Sequence, residues 1–372
     1  MSTQTMIVIV DPSIAVTGAL RCAAATARLL QPDVLTVLVV GDDASIPATE
    51  LTAFHHVERI RLARPRRTFS ALLAFIPDLL RGSMSLKKIV RRNNASAIIA
   101  NDFYLPAVGM AKLLGCPARV VTWVRFDLQR LPRLVKAVFV TINHLSSTYI
   151  LAVSDRVRKM LPSDDKYHRL YDPVGISQET ACTQTLGRDF VCVANYIEGK
   201  GQDHAIDAFL ALGAEARHSR LRFYGGDMGL ERNRLFRRRL EEKVMAANAT
   251  DRILFHGFET DLTKVFSGAI AAVNLSISEA LGMTSIEAGF HCLPLIAFRS
   301  GGPEEIVDDG RTGILCDLLD TPAATAAMRR LLQDPDMAAE MGKTARIHVS
   351  VKFNDESYAA QMKHFLNLPG VR

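Results

Sequence analysis

Two carboxylates, Glu279 and Glu287, stand with seven residues between them in SEALGMTSIEAG, residues 278–289, around Gly282. The stretch joins an apolar, β-branched run, AAVNLS at 271–276, to a helical pattern that begins at about Met283 or Thr284. On that reading Glu279 lies in a loop at a strand end and Glu287 in the first turn of the helix. The backbone N–H groups of Gly282, Met283 and Thr284 then open a helix N-terminus, where orphan donors and the helix dipole favour a phosphate. Acids on either side of a diphosphate suit hydroxyl binding, one to a sugar and the other to a ribose. Two local readings compete: Thr284-Ser285-Ile286-Glu287 has the form of a capping box, and Glu279 alone reads as a solvated loop acid.

Positioning those acids requires regular elements around them. In the first half, apolar runs at 6–10, 34–40, 97–100, 119–124 and 149–154 read as strands, with helical patterns at 19–30 and 107–115 between them. The second half repeats the scheme, with strands near 190–194, 220–225, 253–257, 271–276 and 293–298 and helices near 202–212, 231–247, 260–268 and 284–291. Alternating strand and helix implies parallel sheets covered on both faces. The fold class expected is α/β, with two Rossmann-like doubly wound domains facing across a cleft, ligands lying at the carboxyl ends of the strands. The seam falls near LYDPVGISQET, residues 170–180. The expected organisation is an N-terminal acceptor domain over 1–175, a donor domain over 176–350, and a C-terminal helix in 351–372 that packs back on the first domain.

Composition narrows the classes. A chain of 372 residues is long enough for two cores, and 48% hydrophobic with 23% charged residues is a folded, enzyme-like composition far from disorder. The start, MSTQTMIVIVDPS, has no basic n-region and does not read as a signal peptide, and no apolar run reaches the length of a membrane span. The six cysteines are scattered without a C-x-x-C pair and read as reduced core residues of a cytosolic protein. A single Asp-x-Asp, Asp334-Pro335-Asp336, occurs and no His/Cys cluster with ligand spacing does; the expected metal set is none.

The net charge of +6 is uneven. Residues 59–92 hold ten basic side chains and one acid, Asp78, around the apolar stretch TFSALLAFIPDLL. Basic ends around an apolar middle point to an anionic membrane surface, while the plain alternative is a pair of amphipathic helices with solvated charged faces. Only Phe69 and Phe75 interleave with these charges and no nucleic-acid motif is present, so nucleic acid is not the expected partner.

The stretch around the two glutamates resembles the retaining family 4 glycosyltransferases of the GT-B fold (glycosyl transferases group 1), whose pattern is Ser-x-x-Glu-Gly-Phe-Gly-x-x-x-x-Glu-Ala. Here it reads Ser276, Glu279, Ala280, Leu281, Gly282, Glu287 and Ala288. HCLPLIAF, Gly301-Gly302-Pro303-Glu304-Glu305 and Asp309-Gly310-Arg311-Thr312-Gly313 follow in the family's order. The likeness is specific through residues 190–316 and architectural in the N-terminal half.

The resemblance implies that Glu279 contacts the donor sugar, Glu287 holds the nucleotide ribose, and the backbone around Leu281, Gly282, Met283 and Thr284 takes the distal phosphate. Lys200, in VANYIEGKGQD at 193–203, matches the lysine that neutralises the leaving diphosphate, with catalytic roles falling to Glu279 and Lys200. Asn195 stands where the family's arginine is found and offers a hydrogen bond without a charge. Gly18 would lie near the phosphates and Phe258 near the base. Arg125 occupies the place of a cleft histidine, either as an acceptor-side group or as a plain surface arginine.

The implied reaction is transfer with retention from a nucleotide diphosphate sugar, UDP- or GDP-linked, with no cofactor. The departing phosphate accepts the acceptor's proton. The expected acceptor is a saccharide or lipid-linked molecule of bacterial lipopolysaccharide or envelope polysaccharide synthesis, reached by a cytoplasmic enzyme peripheral to the membrane. A GT-B-fold membrane-associated scaffold that has lost its chemistry, and a GT-B nucleotide sugar epimerase, are the alternatives.

Overall fold

The computed structural model describes residues 5–63, 69–175 and 187–368, with the side chains of 69–74 left aside. The chain divides into two units, Met1–Gly175 with Asp355–Arg372, and Ile176–Asn354.

In the first unit the strands are β1 (Thr5–Val10), β2 (Val34–Gly41), β3 (His56–Ile60), β4 (Ala97–Ala100), β5 (Arg119–Val124), β6 (Tyr149–Ala152) and β7 (Tyr167–Arg169). They form one parallel sheet in the order β3-β2-β1-β4-β5-β6-β7. Its helices are α1 (Gly18–Leu30), α2 (Ala48–Leu51), α3 (Phe69–Arg92), α4 (Pro106–Leu113), α5 (Arg133–Ser146) and α6 (Asp155–Lys159). The second unit has β8 (Asp189–Val193), β9 (Leu221–Tyr224), β10 (Ile253–His256), β11 (Ala269–Asn274), β12 (Leu295–Phe298) and β13 (Gly313–Cys316), all parallel in the order β10-β9-β8-β11-β12-β13. Its helices are α7 (Gln202–Leu210), α8 (Glu231–Ala246), α9 (Leu262–Phe266), α10 (Met283–Phe290), α11 (Pro303–Ile306), α12 (Thr321–Gln333) and α13 (Pro335–Lys352).

The strands expected from apolar runs are all those inside a sheet and one edge strand, β10. Ile7, Val8, Val10, Val37, Val39 and Ile98 are buried because helices cover both faces, which is why their runs are continuously apolar. The three strands the pattern does not reveal, β3, β7 and β13, all form sheet edges. HVERI and YHR are half-solvated and polar, and the four residues of GILC follow a turn, so none shows a buried-strand signature. In the basic stretch, whose plain alternative is a helix pair, β3 ends at Ile60 and one helix, α3, runs to Arg92 with Pro77 inside it. Residues 64–68 of that stretch, and 176–186 at the expected seam, lie outside the described residues.

The last helix, α14 (Asp355–Leu366), packs on α1 and β5. The Tyr358 hydroxyl is 2.6 Å from Thr26 Oγ1, and its ring stacks on Trp123 at 6.4 Å. Asp355 accepts the N–H groups of Val174 and Gly175, each at 2.9 Å.

Candidate active site

Three loops at the carboxyl ends of β8, β11 and β12, neighbouring strands of the second sheet, bring the expected residues together. Lys200 follows β8 and Glu279 follows β11, and Lys200 Nζ lies 2.8 Å from Glu279 Oε2. Their side chains are 32% and 15% exposed, so the pair is neither screened like a surface bridge nor sealed from a ligand. Backbone hooks hold both residues. Ile277 N donates to Gly199 O at 3.0 Å, and Ser276 Oγ to Lys200 O at 3.3 Å. Glu279 N donates to Ser300 O at 3.1 Å and Gly302 N to Glu279 O at 2.8 Å, a short parallel bridge to the β12 loop.

Two glycines make that proximity possible. Gly201 has φ +77°, and a Cβ there would sit 2.0 Å from the carbonyl oxygen of Leu275. A Cβ on Gly302 would sit 2.1 Å from the Leu281 carbonyl oxygen. Neither was singled out in sequence as a contact to Glu279 or Lys200. Paired glycines after an apolar strand are the only signal for Gly302, which becomes informative once β12 is seen beside β11.

Helix α10 starts at Met283 with Gly282 as N-cap, at φ 99° and without a side-chain cap. The capping-box reading is therefore corrected: Thr284 is inside the helix, not at its cap, because the left-handed turn at Gly282 begins the helix two residues earlier. Glu287 is correspondingly in the second turn rather than the first, and is 3% exposed. The half-buried Met283 and Thr284 present the helix's opening N–H groups. Leu281 is buried, its side chain serving the core while its carbonyl approaches Gly302. Asn274 Nδ2, at the end of β11, donates to Ser285 Oγ at 3.0 Å and so ties the strand to the helix.

Asn195 follows β8 and accepts the Gly226 N–H on Oδ1 at 3.0 Å. Its amide oxygen holds the neighbouring β9 loop. Phe258, after β10, is 48% exposed and lies by Gly226. Asn195 and Phe258 thus stand along the same sheet edge as the Lys200–Glu279 pair.

Gly18 and Arg125 belong to the first unit. Gly18 is the exposed first residue of α1, after the Thr17 N-cap, with open space around its α-carbon. Arg125, after β5, is not a surface arginine. It donates to both Asp172 oxygens at 2.8 and 3.1 Å and to Asn101 O and Oδ1 at 2.8 and 2.7 Å, and its guanidinium lies 4.2 Å from the Trp123 ring. Asn101 donates in turn to Asp11 and to Ala19 O. Sequence reasoning did not find this polar cluster at the strand ends, since its members are scattered from Asp11 to Asp172. Asp102 is next to it. Burial pushes its carboxyl up to about 6, opposed by the Tyr104 backbone N–H and reinforced by Asp11.

Among the described residues no group of three His, Cys, Asp or Glu side chains is placed to hold a metal ion, and no helix is long and apolar enough to cross a membrane. Cys22, Cys116, Cys192 and Cys316 are buried free thiols. Cys292 is disulfide-bonded, which corrects the expectation that it is reduced; Cys182 lies outside the described residues.

Solved structures share this architecture over almost the whole chain. Anabaena Alr3699/HepE, in complex with UDP and glucose, has a TM-score of 0.81 at 17% identity, covering 97% of this chain and 99% of that one. Sucrose-phosphate synthase from Thermosynechococcus elongatus has a TM-score of 0.76 at 18% identity, covering 98% of each chain. The fold is GT-B. Residues 185–348 match the family described as glycosyl transferases group 1.

Curated relatives include the GDP-mannose-dependent alpha-(1-6)-phosphatidylinositol monomannoside mannosyltransferase of Mycolicibacterium smegmatis, 30% identical over 42% of this chain and 41% of that one. The lipopolysaccharide core biosynthesis mannosyltransferase LpcC of Rhizobium leguminosarum bv. viciae is 27% identical over 51% of this chain and 54% of that one. The chain spans 21 to 54% of the length of these relatives and of human alpha-1,3/1,6-mannosyltransferase ALG2.

Proposed function

We propose that the protein is a retaining, metal-independent glycosyltransferase. It moves a sugar from a UDP- or GDP-linked donor to a lipid-linked or saccharide acceptor in bacterial lipopolysaccharide or envelope polysaccharide synthesis. The observation that supports this best is the Lys200–Glu279 pair at 2.8 Å, held by the loop that leads into the N-terminus of α10. A cation and a set of N–H donors together favour a diphosphate, and a carboxylate beside them favours sugar hydroxyls. The group 1 match covers these residues, and nucleotides occur in the names of both a relative and a structural neighbour.

In this reading Glu279 accepts hydrogen bonds from the donor sugar and sets its position. Lys200, with the N–H groups of Met283 and Thr284, stabilises charge on the leaving diphosphate as the glycosidic bond breaks. Asn195 adds a dipole where the family has an arginine, Glu287 holds the ribose, and Phe258 lies by the base. The acceptor oxygen attacks from the face the phosphate leaves, and its proton passes to that phosphate. Arg125 and Gly18 serve the acceptor and phosphate sides. The basic stretch 59–92 brings a cytoplasmic, peripheral enzyme to an anionic membrane surface where its acceptor is anchored.

Thermal melts with UDP, GDP, ADP and dTDP test the donor class. One nucleotide at a hundred times its Kd adds about 2.7 kcal/mol and raises Tm by a few degrees. A folded protein indifferent to all four would overturn the proposal. Product NMR then reads the anomeric outcome, and turnover unchanged by EDTA is the result expected for metal independence.

A further inference from the structure

Helix α5 holds an aliphatic stripe in water. The side chains it buries are Asn143 and Ser146, and both are satisfied internally. Asn143 Nδ2 donates to Phe103 O at 3.1 Å and Phe139 O at 2.8 Å, and Ser146 Oγ donates to Ile142 O at 2.8 Å. Three of its aliphatic residues point outward, while Ile142 packs on Gly109 of α4: Leu134 is 83% exposed, Val138 54% and Leu145 73%, at a spacing that puts them in one stripe. A helix facing water shows the opposite pattern, so a face of this kind needs a cover.

The same layer continues in α3, which packs on α4 as α4 packs on α5. Gly109 of α4 lies against Ile142 and Ser146 of α5, and Lys87 of α3 donates to the Leu114 carbonyl at the end of α4. Ile76, Leu80 and Met84 are exposed at successive turns of α3. Below them Met84, Lys87, Lys88, Arg91 and Arg92 line an open hollow of about 510 Å³.

We propose that the outer face of α5, continued by this face of α3, is the surface through which the protein docks on an anionic lipid bilayer, α5 inserting its aliphatic stripe. This rests on the membrane-surface acceptor read above and adds the element that makes the contact, which lies outside residues 59–92. Charge decides the occupant. Helices α3 and α5 carry seven Lys or Arg, Arg81, Lys87, Lys88, Arg91, Arg92, Arg133 and Lys136, and one acid, Asp78. Asp78 pairs with Arg61 and Arg81, and Arg92 with Glu58. A second copy on a two-fold axis would set cations against cations. A bilayer takes aliphatic side chains into its acyl region and ammonium and guanidinium groups at its anionic headgroups.

The experiment uses the full chain and sedimentation with phosphatidylcholine vesicles, with and without phosphatidylglycerol. The Leu134→Gln/Val138→Gln/Leu145→Gln variant keeps good helix formers at exposed positions. Its partitioning to phosphatidylglycerol vesicles is expected to fall by about tenfold or more, with its circular dichroism, melting and nucleotide response unchanged. Should the triple variant misfold, Leu145→Gln alone reads the same loss at smaller size. Lys88→Ala/Arg91→Ala is expected to weaken binding most at low salt. Equal vesicle binding by wild type and the glutamine variant overturns the proposal. So does a wild-type dimer that the variant converts to monomer without any vesicle binding. A nucleotide response without vesicle binding removes the docking face and leaves the transfer chemistry. Vesicle binding without a nucleotide response leaves the docking face and removes the transferase reading.

Discussion

Lys200 and Glu279 form an ion pair at 2.8 Å. Lys200→Ala is expected to lower transfer by about 10²- to 10³-fold, the usual cost of removing one charge-stabilising donor. Lys200→Arg should recover part of it, and steady-state rates on the same donor compare the two. Glu287→Gln keeps the volume of a side chain that is 3% exposed, so the protein should fold while its nucleotide-dependent rise in Tm shrinks. An unchanged rise would remove the ribose role. Asp102 gives a pH test. Its folded pKa of about 6 exceeds the ordinary 3.8, so the ionised form destabilises the fold fully above pH 6 and the cost fades as pH falls towards 3.8. Asp102→Asn is therefore expected to raise stability at pH 8 by an order of 1–2 kcal/mol and to change nothing near pH 3.5, read by melts at both values.

At the scale of elements, the site depends on loops that approach more closely than side chains allow. Gly302→Ala forces a Cβ to within 2.1 Å of the Leu281 carbonyl, so the β11 and β12 loops must part. A loss of about 2–4 kcal/mol, together with loss of nucleotide stabilisation, is the expected result in denaturant and ligand titrations. The inner strands were legible because burial on both faces writes an uninterrupted apolar run, as in MIVIV and VLTVLVV. The edge strands β3 and β7 were not, since HVERI and YHR answer to solvent on one side. The capping box at Thr284 was a local pattern that a left-handed glycine two residues earlier displaced.

At the scale of the whole molecule, the chain crosses back at Asp355 to complete the first unit. Trp123, the chain's single tryptophan, is 1% exposed beneath Tyr358. Truncation after Asn354 is expected to shift tryptophan emission to the red and to destabilise the first unit by about 3 kcal/mol or more, since it removes a buried aromatic and its helix. The second unit keeps its own core around Phe190, Phe209, Phe223 and Phe298, so stabilisation by the donor nucleotide should survive the truncation. Loss of both together would mean that the donor site depends on the C-terminal helix.

The sequence by itself determined the class of the fold and singled out Lys200 and Glu279, which meet at the strand ends of the second sheet. Strand and helix periodicity, and a run of small and acidic residues in fixed order, are local properties that the chain carries before it folds. Tertiary structure decided what depends on residues distant in sequence. It set Lys200 against Glu279 across 79 positions and buried Arg125 between Asn101 and Asp172. It also turned Asn143 and Ser146 of α5 inward and its leucines to the surface. That last feature has no signature in periodicity, because an amphipathic helix reads the same whichever side its neighbours cover, and only packing chooses the side.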